Sequence, residues 1–180
     1  MTIISKDKFW QWAFSDLLSN ALRGSLAEFI VGNELSCLNA QRLEWDAYDL
    51  LLPSGKYIEV KSAAYLQTWQ QKKNSIIRFD IAEKTSWFAA SNSNSDKPQR
   101  AAHIYVFCVF AETDRQKANP LNLQQWFFIV MSSADIAKHF GKNKTVGLST
   151  LENAGAKRIQ HFELCEAIAL AEKQLNHLDS

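Results

Sequence analysis

Asp49-Leu-Leu-Leu-Pro-Ser-Gly-Lys-Tyr-Ile-Glu59-Val-Lys61 is the stretch that decides how the chain folds. Pro53-Ser54-Gly55 is a turn signal: proline presets φ, and glycine takes backbone angles that strain other residues. Tyr57-Ile58-Glu59-Val60-Lys61 alternates as a strand does, so the turn joins two strands in a hairpin. Trp45, Tyr48, Leu50, Leu51 and Leu52 give the first strand, from about Glu44, its apolar character. Alternation sends Tyr57, Glu59 and Lys61 to one face and Ile58 and Val60 to the other. An acid and a base then share a face beside an aspartate carried by the partner strand.

Upstream, Phe9, Trp10, Ala13, Phe14, Leu17, Leu18, Ala21 and Leu22 recur at helical spacing from Asp7. Arg23-Gly24-Ser25 predicts an interruption there, with Gly24 or Ser25 capping a second helix that runs to about Glu34. Leu26, Ala27, Ile30 and Val31 form the apolar stripe of that helix, and Glu28 lies beside the stripe. Downstream, Ser75 to Ile81 reads as a further strand and Ser91 to Pro98 as a polar flap. His103 to Phe110 is almost continuously β-branched and aromatic, as in a central strand covered on both faces. Trp126 to Met131 repeats that character. Ser132 or Ser133 caps a short helix ending at Gly141, and Glu163 to Leu175 forms a last amphipathic helix. The order predicts an α/β fold, a central mixed β-sheet flanked by helices. It is organised as one domain of residues 1–180: an N-terminal helix over 1–22, a core over 23–131 with a polar insertion around 67–100, and a helical part over 132–180.

Twenty basic and nineteen acidic side chains leave a net charge of +1, so the overall balance names no partner. From Lys61 to Arg100, however, seven basic residues face three acidic ones, a basic segment that would draw a polyanion. A solvated loop face is the other reading of those charges. Cys37, Cys108 and Cys165 are widely spaced, which argues against a disulfide framework and a structural zinc site and predicts three buried free thiols. Lys6, Asp7 and Lys8 stand where a signal peptide needs its apolar stretch, and no apolar run reaches the roughly 20 residues of a membrane span. These features predict a cytoplasmic protein. His103, His139, His161 and His177 show no ligand spacing, and no Gly-rich phosphate loop or Gly-X-Ser-X-Gly occurs.

The aspartate, the turn, and Glu59-Val60-Lys61 on the next strand resemble the core motif of the PD-(D/E)XK nuclease superfamily. Arg23-Gly-Ser-Leu-Ala-Glu28 is similar to the first helix of that superfamily, which often adds an acid. The resemblance covers Arg23 to Ser62 well and extends loosely to Met131; Tyr48 stands where the motif has its proline. It implies a restriction-endonuclease-like fold and an endonuclease hydrolysing phosphodiester bonds, in DNA, of restriction or repair type. Its cofactor would be Mg²⁺, with Mn²⁺ able to substitute. Asp49 and Glu59 would hold the metal with the Val60 backbone carbonyl, since hard cations take oxygen ligands. Lys61 would orient or deprotonate the attacking water, or offset developing negative charge. Glu28 would complete the catalytic set, and Asp49 is preferred over Asp46, which alternation turns the other way.

Beyond the motif, Ser62, Gln67, Trp69, Lys72, Lys73, Arg78 and Arg100 are candidate substrate contacts, through phosphate-binding cations and one stacking surface. The same residues also suit core packing and solubility. A homodimer is expected if both strands of a duplex are cut. Two readings remain beside the nuclease: a catalytically silent nucleic-acid- or protein-binding module that keeps the fold, and a chance motif in which Glu59 and Lys61 form an exposed pair of about 0.2–1 kcal/mol.

Overall fold

The hairpin forms, and its first strand is far shorter than its composition suggests. A computed structural model of the chain describes residues 3–38, 42, 47–85, 87–88 and 93–178. Strand β1 is only Leu50–Leu51, and β2 runs Tyr57–Ala64. Leu50 pairs with Ile58 and Leu51 with Tyr57, antiparallel. Gly55 closes the turn at φ +82°, a backbone region that an L side chain enters only with strain. Expected strand residues 44–46, including Asp46, lie outside the described residues.

Strand β2 then pairs in parallel with β6 (Ile104–Phe110), and β6 pairs antiparallel with β7 (Trp126–Ser132). The central sheet is mixed, as the element order predicts, and has four strands in the order β1-β2-β6-β7. All seven residues of β6 are buried, because alternate side chains enter two different cores. Ile104, Val106, Cys108 and Phe110 face helices α2 (Asn20–Glu34) and α5 (Leu164–Leu178), packing with Ala27, Val31, Leu164 and Ile168. Tyr105, Phe107 and Val109 face the opposite core. That core is closed by α3 (Ser133–Phe140), α4 (Leu148–Asn153) and a ribbon of β3 (Arg78–Asp80) with β8 (Thr145–Gly147). Each fully buried Phe or Leu contributes about 1.5–3 kcal/mol, so the two cores carry most of the stabilisation.

Three expectations are corrected. The first concerns the helix break. Helix α1 covers only Lys6–Phe14, and α2 passes straight through Arg23-Gly24-Ser25. The interruption lies at residues 15–19, where the Ser19 hydroxyl accepts from Leu22 N–H at 3.4 Å and caps α2. A glycine inside a helix costs about 1 kcal/mol, which a cap and the buried stripe outweigh. No residue of α1 is buried, so Phe9, Trp10 and Phe14 are about half exposed instead of core-facing. Second, the polar flap contains β5 (Ser93–Asn94), which pairs antiparallel with β4 (Trp87–Phe88); residues 91 and 92 lie outside the described residues. Third, Cys165 is exposed, whereas Cys37 and Cys108 are buried free thiols. Among the described residues no helix is long and apolar enough to cross a membrane.

Candidate active site

The site exists because β1 stops early. Asp49 N–H donates to Ile58 O at 3.0 Å, so the Ile58 carbonyl points towards β1. Backbone polar groups alternate along a strand, and Val60 therefore also points its N–H and C=O to that side. Strand β1 begins only at Leu50, so no strand residue meets them. The Asp49 side chain takes the missing place: its Oδ2 accepts from Val60 N–H at 2.6 Å. Continued one residue beyond β1, the hairpin register brings Asp49 to the level of Glu59, whose charge acts on it. One carboxylate, one main-chain carbonyl and a second carboxylate thus converge at the notch beyond β1.

Glu59 and Lys61 share the face that alternation gives them, and Lys61 Nζ is ion-paired to Glu59 Oε1. Both side chains are about one-fifth exposed, so the pair sits in a recess instead of in open solvent. Burial draws the Lys61 pKa down, but the adjacent Glu59 charge and hydrogen bond, with Asp49 and Asp80 farther out, raise it above its ordinary value. Asp49 moves up as well, to about 7: burial is the largest cause, followed by the charges of Glu59 and Glu28. The Val60 hydrogen bond and Lys61 oppose that rise without cancelling it.

Glu28 approaches from the helical side of the sheet. Arg42 grips its carboxylate in a two-pronged ion pair, with Nη2 donating to Oε1 at 2.8 Å and Nε to Oε2. Cys108, wholly buried on that side, has its thiol pushed up first by burial and then by Asp49 and Glu28. Asp49 therefore feels one acid from each face of the sheet. Among the described residues no three His, Cys, Asp or Glu side chains are gathered tightly enough to hold a metal by themselves.

The remaining sequence candidates divide into two groups. Ser62 faces α2 and accepts from Arg23 Nε at 3.3 Å, on the opposite face from Glu59 and Lys61. Gln67 is buried and braces its own loop, donating to Ala64 O at 3.1 Å and Ser75 Oγ at 3.2 Å. The Arg100 guanidinium ties Ile81 O (2.9 Å) to Gly141 O (2.7 Å) and nears Glu83. These three are engaged inside the fold. Trp69 (57% exposed), Lys72, Lys73 and Arg78 instead face solvent.

Four residues near the site escaped the sequence reading. Asp80, on the outward side of β3, is close enough to Lys61 for each to shift the other's pKa, and it is ion-paired to Lys84. Tyr105 lies beside Glu59 across the β2–β6 pairing. Arg42 holds Glu28. Arg23, 3% exposed, has no carboxylate partner among the described residues; it donates to Leu18 O at 2.8 Å and Asn20 Oδ1 at 2.7 Å as well as to Ser62. Its burial in a helix near the motif strand leaves no periodic trace, since arginine at a stripe edge normally marks the solvent side.

No curated protein and no solved structure matches the chain. The family model for bacteriophage T4 endonuclease IV matches residues 10–150, a span running from α1 through the whole central sheet to α4 and including Glu28, Asp49, Glu59 and Lys61. A match over that much of the 180 residues identifies the lineage: the chain belongs to the bacteriophage T4 endonuclease IV family.

Proposed function

We propose that this chain is a Mg²⁺-dependent endonuclease of the PD-(D/E)XK type with a restriction-endonuclease-like fold, hydrolysing phosphodiester bonds in DNA in restriction or repair. One observation carries the reading: the Asp49 carboxylate substitutes for a strand at Val60 and stands level with Glu59, with Lys61 on the same face. The donor set suits Mg²⁺. Two carboxylates and a main-chain carbonyl are all hard oxygen ligands, and Mg²⁺ binds through one or two carboxylates with water and phosphate oxygens completing its octahedron. When bound, Mg²⁺ would acidify an attacking water and offset the charge of the scissile phosphate.

The residues divide the remaining work. Asp49, raised to about 7 by burial and its acidic neighbours, is a carboxylate whose ionised form a cation stabilises. Lys61 keeps its proton at neutral pH because Glu59 raises its pKa, so it serves as a fixed cation and not as the base. A cation held in a partly buried recess stabilises charge that develops on the phosphate more than it would in water. Glu28, held by Arg42, acts on Asp49 through its charge. Exposed Trp69, Lys72, Lys73 and Arg78 supply a stacking face and phosphate-binding cations on the approach.

Purified protein incubated with supercoiled plasmid, single-stranded DNA and RNA, in Mg²⁺ and in EDTA, tests the proposal. Cleavage of DNA in Mg²⁺ alone, abolished in Asp49→Asn and Lys61→Met, is the expected result. Cleavage that survives EDTA or persists unchanged in both variants would remove this site from the reaction.

A further inference from the structure

Tyr105 has a hydroxyl that the fold itself does not use. Its register partner is Glu59, and paired residues of neighbouring strands point to the same face, so its side chain rises beside the Glu59 carboxylate. The ring is fixed: the residue is 4% exposed and stacks on Phe107, with centroids 6.1 Å apart. For that packing alone phenylalanine would serve, as it does at the neighbouring core positions Phe107 and Phe127. The hydroxyl makes no hydrogen bond among the described residues. Yet no fully buried polar side-chain atom of those residues lacks a partner. The hydroxyl is therefore the part of Tyr105 that reaches water, and it does so in the field of Glu59, Asp80 and Asp49, with Arg100 opposing. Burial first, and then Glu59, raises its pKa, so it remains a donor.

We propose that Tyr105 is a further catalytic residue of this endonuclease, its hydroxyl donating a hydrogen bond to a non-bridging oxygen of the scissile phosphodiester. The inference rests on the reading of Asp49, Glu59 and Lys61 as the hydrolytic site. A rigidly packed ring that delivers one unpaired O–H to the edge of a carboxylate site is a preorganised donor, which needs no rearrangement as charge builds on the phosphate. Tyr105 keeps its proton and forms no bond to phosphorus. Its contact complements Lys61: the lysine supplies charge, and the tyrosine a directed hydrogen bond.

Tyr105→Phe removes the oxygen and keeps the ring. We expect the variant to match the wild type in melting temperature, in Mn²⁺ affinity by titration calorimetry and in KM within twofold, while kcat on DNA falls 10- to 100-fold. A kcat within twofold of wild type, measured alongside an inactive Asp49→Asn, overturns the assignment of Tyr105 and leaves the site intact. A loss of Mn²⁺ affinity that accounts for the lost rate also overturns it, since the hydroxyl would then be holding Glu59 instead of touching phosphate. Absence of Mg²⁺-dependent cleavage by the wild type, or undiminished cleavage by Asp49→Asn, overturns the reading of the site and the role of Tyr105 with it.

Discussion

Replacing Asp49 by asparagine removes a charge that the metal-free fold holds under strain. Burial, then Glu59 and Glu28, raise this carboxyl from 3.8 to about 7. Below pH 3.8 it is protonated in both folded and unfolded chains, and stability is unaffected. Between there and pH 7 the unfolded chain ionises while the folded one keeps its proton, so stability falls as pH rises; the loss is complete above about pH 7. A shift of about three units at about 1.4 kcal/mol each makes the full loss about 4 kcal/mol, of which more than half falls between pH 5 and pH 8. Asparagine keeps the shape, and its amide oxygen can still accept from Val60 N–H. Urea unfolding in EDTA, followed by the fluorescence of the six tryptophans, gives stability at each pH. The gap between Asp49→Asn and wild type should move by about 2–3 kcal/mol in favour of the variant from pH 5 to pH 8. Mn²⁺ added at pH 8 should stabilise the wild type and leave the variant unmoved. A gap that stays constant with pH, or a variant that loses ground as pH rises, would refute the reasoning.

Lys61→Met should lower the cleavage rate about 10²- to 10³-fold with the fold intact, the usual cost of deleting one fixed electrostatic contact. Because Glu59 holds Lys61 protonated, the wild-type rate should show no decline between pH 8 and pH 10; a fall centred near pH 8 would mean that the lysine loses its charge there and that Glu59 does not hold its proton. Arg23→Met leaves Leu18 O and Asn20 Oδ1 without their donor and should cost about 1–3 kcal/mol, read as a lower urea midpoint. An unchanged midpoint would mean that the buried guanidinium contributes nothing net. Lys72→Ala with Lys73→Ala should weaken nucleic-acid binding and reduce its logarithmic salt dependence by about 1–2, measured by fluorescence anisotropy in Ca²⁺; an unaltered slope would return both lysines to the solvated surface.

The hairpin and the central strand were legible because each is written in local chemistry. Pro53-Ser54-Gly55 can hardly be anything but a turn, and an apolar run the length of β6 must be covered on both faces. The face shared by Glu59 and Lys61 followed from alternation alone. What was not legible depended on register across the fold. Nothing local places Tyr105 next to Glu59, because parallel pairing joins residues 46 positions apart through a crossover. Asp80 belongs to a three-residue strand whose partner, β8, is too short and polar to announce itself. The misplaced helix break has a different cause. Gly24 and Ser25 are breaker residues by composition, but Ser19 had the better cap, and the guanidinium of Arg23 is anchored inward by bonds to Leu18 O and Asn20 Oδ1. The length of β1 escaped because Leu50 to Leu52 read as strand whatever pairs with them, while the Asp49 carboxylate ends the ladder by occupying Val60 N–H.

The crossover between β2 and β6 is closed part-way along by two backbone hydrogen bonds, Lys84 N–H to Gln99 O at 3.1 Å and Gln99 N–H to Lys84 O at 3.0 Å. That clasp makes the segment beyond it an appendix, fastened at its base, whose length the central sheet does not register. Doubling such a segment costs only about 0.6 kcal/mol in closure entropy. Chain of other sizes and sequences can therefore be grafted between Lys84 and Gln99 without sliding Glu59 against Tyr105 or Asp49 against Val60. A lineage or a protein engineer that needs a different target has a tolerant port for new recognition elements, only a few residues downstream of Asp80 at the margin of the proposed site.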